Sequence, residues 1–188
     1  MIISLSGAAG SGKSTIAQML ADKLAWPRYY MGGLRREAAK KRGMTLAEYN
    51  KLGENDPATD KEVDEYQREL SEKQDNFIIE GRTSWYFIPN SLKIYLDVSP
   101  EEGAKRIFKS LQRKNNNRNE GDDLNSWQEV MASALARKDS DRRRYRQYYN
   151  IEVYDSKNYD FYLDTTNLTP EQVFTAVYDW TKDKLEKF

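Results

Sequence analysis

Gly7, Gly12, Lys13 and Ser14 stand in the order G-x-x-x-x-G-K-S, directly after the apolar run of residues 1–6. That spacing suits phosphate binding. Glycines let main-chain N–H groups wrap phosphate oxygens without side chains in the way, and a helix opening there adds the positive end of its dipole. The expected ATP site is therefore the whole loop: Gly7, Ala8, Ala9, Gly10, Ser11, Gly12, Lys13, Ser14 and Thr15. Lys13 would reach the β- and γ-phosphates, and the Ser14 hydroxyl would ligate a bridging magnesium ion. ATP as donor and Mg2+ as cofactor are the resulting expectations.

A phosphate loop alone does not separate a kinase from a switch protein, a motor or an ATPase, because all hold the phosphates alike. The acceptor site must decide. A guanidinium can bind a second phosphate bidentately and neutralise charge on the transferring group. Three places supply arginines: Arg35 and Arg36 after Gly32 and Gly33; Arg82 after the Phe77 to Glu80 run; and Arg137, Arg142, Arg143, Arg144 and Arg146 in a late helical stretch. A single arginine is more often on a solvated helix face than in a site. Arg82 differs, because it follows an apolar strand at the end where α/β sheets bind ligands. Glu80 has two readings, a carboxylate that orients magnesium-bound water beside Ser14 or a plain strand-end charge. Asp97 precedes the helix cap Ser99 and reads as structural.

The rest of the inventory narrows the chemistry. The chain has 188 residues, no cysteine and no histidine, with 30 basic and 30 acidic residues. Its length suits one domain, residues 1–188. Imidazole bases, thiolate nucleophiles and disulfides are excluded, whereas phosphoryl transfer needs none of them. Zero net charge offers no steering toward nucleic acid or an anionic membrane, so neither is an expected partner. Neither a basic leader nor a bilayer-length apolar stretch is visible, so the expected setting is the cytoplasm. A monomer is the expected state.

The elements that position these residues read as alternating strands and helices. Apolar runs at residues 1–6, 77–79, 92–96 and 161–163, with a brief one around Tyr29 and Tyr30, predict five short strands. Between them lie helix starts: Thr45 with Glu48, Thr59 with Glu62, Ser99-Pro100 with Glu102, Ser126 with Glu129, and Thr169-Pro170 with Gln172. The LRREAAKKR helix stops at Gly43. Arg113 to Asp123 has no apolar residue and reads as a lid loop. The fold class is α/β, a three-layer domain with a parallel sheet.

Read in order, the phosphate loop, the Gly32 to Arg36 segment, the Glu80-Gly81-Arg82 triplet, the LKIYLD strand and the RKDSDRRRY helix resemble the cytidylate kinases, closest to the compact archaeal-type members. The likeness covers nearly the whole chain, including RGMTLAEYNKL, DKEVDEYQ and LDTTNLT. It implies the nucleoside monophosphate kinase fold, with five parallel strands, an acceptor-binding helical insert at about 31–70 and a short lid at about 112–125. It implies ATP-dependent phosphorylation of CMP or dCMP by in-line transfer. Arg36, Arg82, Arg137 and Arg144 are its implied phosphate ligands, with Lys13, Arg82, Arg137 and Arg144 catalytic. Asp141 is the implied reader of the cytosine amino group. A carboxylate accepts from an amine but repels a carbonyl, which separates cytosine from uracil though not from adenine. Arg113 and Arg118 fall where lid arginines occur. The chain departs from the family at Tyr29, Tyr30 and Met31, where many members carry a serine and an aspartate; a tyrosine could stack the base instead. Remaining alternatives are a kinase of the same fold acting on AMP, UMP or another phosphorylated acceptor, and an ATP-binding regulatory module.

Overall fold

The computed structural model describes residues 1–112 and 124–187. In chain order the elements are β1 (Ile2–Gly7), α1 (Lys13–Leu24), β2 (Arg28–Tyr30), α2 (Met31–Lys41), α3 (Leu46–Gly53), α4 (Ala58–Lys73), β3 (Phe77–Glu80), α5 (Ser84–Phe87), β4 (Leu92–Asp97), α6 (Pro100–Leu111), α7 (Trp127–Tyr149), β5 (Phe161–Asp164) and α8 (Pro170–Leu185). The five strands form one parallel sheet in the order β2-β3-β1-β4-β5. β1 is central because its residues are apolar or small enough to be buried on both faces. Ile3 and Leu5 are fully buried, and the buried hydroxyls that alternate with them are satisfied, Ser4 with Ser91 Oγ at 2.8 Å and Ser6 donating to the Gly81 carbonyl at 2.6 Å.

Two packed layers enclose the sheet. On one face Ile3, Leu5, Ile78 and Leu96 meet Ile16 and Leu20 of α1 and Val173 and Val177 of α8. On the other, Phe77 and Ile79 pack against Met31 of α2 and Ile88. The alternation along β3 sends neighbouring side chains to opposite layers, the period-two geometry of a strand. Each fully buried Ile or Leu contributes about 1.5–3 kcal/mol relative to exposure. A third cluster, Ala104 and Ile107 of α6 with Val130, anchors α7.

Local chemistry sets the helix boundaries. Reciprocal capping boxes form at Thr45/Glu48, Ser126/Glu129 and Thr169/Gln172. Ser99 accepts from Glu102 N at 3.3 Å with Pro100 in the first turn. The expected Thr59/Glu62 box is not formed, and this start is corrected. Asp56 accepts from Ala58 N at 3.0 Å, so α4 opens earlier and Thr59 is buried in its first turn. The helix after β2 also begins before LRREAAKKR, taking in Met31, Gly32 and Gly33. A side chain at Gly32 would strike the Tyr30 ring, 2.6 Å from an added Cβ. The short α5 had no sequence signal. Residues 113–123 of the expected lid, with Arg113 and Arg118, lie outside the described residues. No helix among the described residues is long and apolar enough to cross a membrane.

Candidate active site

The loop between β1 and α1 lies at the carboxyl end of the sheet's central strand, where the chain order reverses and open α/β sheets bind ligands. Its path requires glycine. Gly10 has φ +82°, and a Cβ there would sit 2.2 Å from the Gly103 carbonyl oxygen of α6. Lys13 Nζ donates to the Gly7 and Ala8 carbonyls at 2.9 and 2.6 Å, curled over the loop. Ser14 Oγ donates to Glu80 Oε2 at 2.7 Å, and the opposite Glu80 oxygen accepts from Arg28 Nε at 2.9 Å. Glu80 thus holds the serine hydroxyl from the end of β3. This hydroxyl–carboxylate pair fits magnesium, which takes hard oxygen ligands, few of them from protein.

The same cavity, about 710 Å³, continues from Ser14 to Arg36, Arg82 and Arg137. These arginines come from α2, the turn after β3, and α7. Adjacent residues on a helix point about 100° apart, and Arg35 and Arg36 accordingly have different partners. Arg36 faces the cavity and donates to Gly32 O at 3.1 Å and to the Tyr30 hydroxyl. Arg35 also lines the cavity but is mostly buried, donating to Asn50 Oδ1 at 2.8 Å, Thr59 O at 3.1 Å and Asp60. The two tyrosines of β2 also divide. Tyr30 lines the cavity, whereas Tyr29 packs on Phe77 and donates to Gln74 Oε1 at 2.6 Å.

Arg144 and Asp141, expected at the acceptor, do not line the cavity. Both are fully buried behind its wall. Arg144 Nη1 donates to Asp60 Oδ1 at 2.6 Å, and its Nη2 to Asp141 Oδ1 at 2.5 Å. Asp141 Oδ2 faces Arg82 Nε at 2.8 Å and accepts from Tyr154 Oη at 2.8 Å. The physical reason is mutual satisfaction, since buried charges persist only when paired. Burial alone would raise the Asp141 pKa, but the Arg82 and Arg144 guanidiniums, with the Tyr154 hydroxyl, hold it below the ordinary carboxylate value. The chain of charges from Asp60 through Arg144 and Asp141 ends on Arg82 at the cavity.

Sequence reasoning did not single out the carboxylates of α4. Asp60 and Asp64 line the cavity with Val63, opposite Tyr145 of α7. Their i, i+4 spacing, continued by Gln67, marked one helix face. Among so many charged neighbours that face resembled a solvated one. Asp97 stands apart, accepting from Val98 N at 2.9 Å and from Tyr162 Oη at 2.5 Å.

Sheet order, loop and facing arginines together define a P-loop kinase. Solved structures show the same fold: a shikimate kinase from Bacteroides thetaiotaomicron matches with a TM-score of 0.63 at 17% identity, covering 99% of this chain and 98% of that one. Shikimate kinase from Acinetobacter baumannii matches with a TM-score of 0.60 at 13% identity, covering 97% and 93%. Residues 2–167 match the cytidylate kinase-like family, and the chain belongs to it. It is 35% identical over 178 residues to a cytidylate kinase of Pyrococcus furiosus, covering 94% of this chain and 86% of that protein. To a cytidylate kinase of Archaeoglobus fulgidus it is 33% identical over 178 residues, covering 94% and 92%.

Proposed function

We propose that this chain transfers the γ-phosphoryl group of ATP to CMP or dCMP, giving CDP or dCDP and ADP. One observation carries the reading: a single cavity is lined by both the phosphate loop and Arg36, Arg82 and Arg137. The named relatives support CMP as the acceptor. Residues 1–188 act as one nucleoside monophosphate kinase domain, a cytoplasmic monomer, with residues at about 31–70 forming the acceptor-binding insert.

Transfer is direct and in line, with no covalent enzyme intermediate. The acceptor phosphate is already an anionic nucleophile near neutral pH, so no general base is needed and a chain without histidine can run the reaction. Lys13 leaves the loop carbonyls for the β- and γ-phosphates. Arg36, Arg82 and Arg137 bind the acceptor phosphate, and Arg82 and Arg137 also stabilise charge on the moving group. Asp141 and Arg144 serve as positioning residues that hold Arg82 in place. Ser14, with Glu80 beside it, would hold magnesium, which would supply positive charge to neutralise the phosphates.

The test is a coupled assay of ADP formation with CMP, dCMP, UMP and AMP as acceptors. CMP or dCMP should give the highest kcat/KM. Equal rates with AMP and CMP would reject the assignment, and rapid ATP hydrolysis without any acceptor would favour the regulatory module.

A further inference from the structure

Once the acceptor phosphate is held by guanidiniums, its base must lie further along the cavity, where α3, α4 and α7 supply Leu46, Val63 and Tyr145 as apolar walls. Two carboxylates face this region, and they differ in their partners. Both Asp60 oxygens accept from guanidiniums, Oδ1 from Arg35 and Arg144 and Oδ2 from Arg144 again. Among the described residues, Asp64 has only neutral donors. Its Oδ1 accepts from Gln67 Nε2 and Thr83 Oγ1, each at 3.2 Å, and its Oδ2 from Tyr149 Oη. It is 5% exposed, and no described lysine or arginine forms an ion pair with it.

We infer that Asp64, rather than Asp141, reads the acceptor base by accepting a hydrogen bond from the exocyclic amino group of cytosine; the inference rests on the cytidylate kinase reading above. An ionised carboxylate has about four lone-pair sites, of which the three donors leave one. Asp141 has no comparable access, being fully buried and shared among Arg82, Arg144 and Tyr154. A buried carboxylate without a counter-cation gains most from a new donor and is most repelled by a carbonyl. Uracil presents a carbonyl where cytosine has its amine, so Asp64 favours cytosine by attraction to one base and repulsion of the other.

The same environment makes the discrimination depend on pH. Burial pushes the Asp64 pKa up to about 7, and the Asp60 charge adds to the rise, while hydrogen bonds from Tyr149 and Thr83 and the Arg35 charge oppose it. Tyr145 faces the same region from α7, and Lys61, Glu65 and Arg68 line the groove on the outer side of Asp64. When protonated, Asp64 can donate as well as accept, so a uracil carbonyl no longer meets a charge.

The experiment measures kcat/KM for CMP and UMP from pH 5.5 to 8.5 in the wild type, Asp64→Asn, Asp141→Asn and Tyr149→Phe. In the wild type the CMP/UMP ratio should rise through about pH 7. Asp64→Asn should lower that ratio at least about tenfold at pH 8, mostly through KM for CMP, and flatten its pH dependence. Asp141→Asn should weaken both acceptors alike. Tyr149→Phe removes a donor to the carboxylate and should move the midpoint to higher pH, a readout that stands even if Asp64→Asn does not fold. An unchanged ratio and pH profile in Asp64→Asn, equal losses with both acceptors, or an unmoved midpoint in Tyr149→Phe would overturn the inference. A wild type unable to use CMP would defeat the kinase reading instead.

Discussion

Arg82 Nε lies 2.8 Å from Asp141 Oδ2, so the arginine at the carboxyl end of β3 is aimed by a carboxylate of α7. The contact joins the cavity to the buried chain of Asp141, Arg144 and Asp60. An arginine that must meet a phosphate gains from being oriented beforehand, because little side-chain freedom is then lost on binding. The link also ties Arg82 to the packing of α7 against α4.

Breaking that link should cost stability as well as activity. Asp141→Ala would leave Arg82 and Arg144 without their shared buried partner, a change on the scale of about 3–5 kcal/mol. Urea denaturation at pH 7 measures the loss. The sign of its pH dependence follows from a folded pKa below the unfolded value of 3.8. The stabilisation from Asp141 is fully present above that unfolded value and disappears as pH falls through the lower folded one.

Asp64 should behave in the opposite sense. Its folded pKa of about 7 lies above the unfolded 3.8, so its favourable contribution is complete below pH 3.8 and is lost as pH rises through about 7. Relative to Asp64→Asn, the wild type should therefore lose stability between those limits, with a slope of at most about 1.4 kcal/mol per pH unit. Paired denaturation curves at pH 5 and pH 8 would show the gap; a gap of the opposite sign would contradict the burial argument.

The phosphate loop can be tested without disturbing the core. Lys13→Ala removes an ammonium that touches the loop's own Gly7 and Ala8 carbonyls, so the melting temperature should hardly change while kcat falls about a hundred- to a thousandfold. Arg82→Ala should give a similar fall in kcat. Unchanged kcat in both would remove these residues from the catalytic set.

Gly10→Ala offers a steric test. The added methyl would overlap the Gly103 carbonyl of α6, and the positive φ disfavours any side chain. ATP affinity should drop at least about tenfold as the loop shifts, measured by titration with a non-hydrolysable ATP analogue.

Much of the fold was legible because its signals are local. The phosphate loop is a contiguous backbone motif, three helix starts are complete capping boxes, and the five apolar runs became the five strands. Thr59 and Glu62 had the same spacing but no box, because the nearby Asp56 carboxylate took the end of α4. Arginines could be counted in the sequence, though not sorted. Arg35 and Arg36 are neighbours and both line the cavity, but only the packing of α2 on α3 and α4 tied Arg35 to Asn50, Thr59 and Asp60.

The sequence by itself determined the phosphate-binding backbone, the parallel α/β class and the stock of charged groups from which a site could be built. Tertiary structure alone decided that Tyr30 and not Tyr29 lines the cavity, that Asp141 and Arg144 lie behind its wall, and that Asp64 faces it without an ion-pair partner among the described residues. The physical reason is range. Main-chain conformation is governed by near neighbours along the chain, whereas the burial and charge environment of a side chain depends on segments brought together only when the sheet and its helices pack.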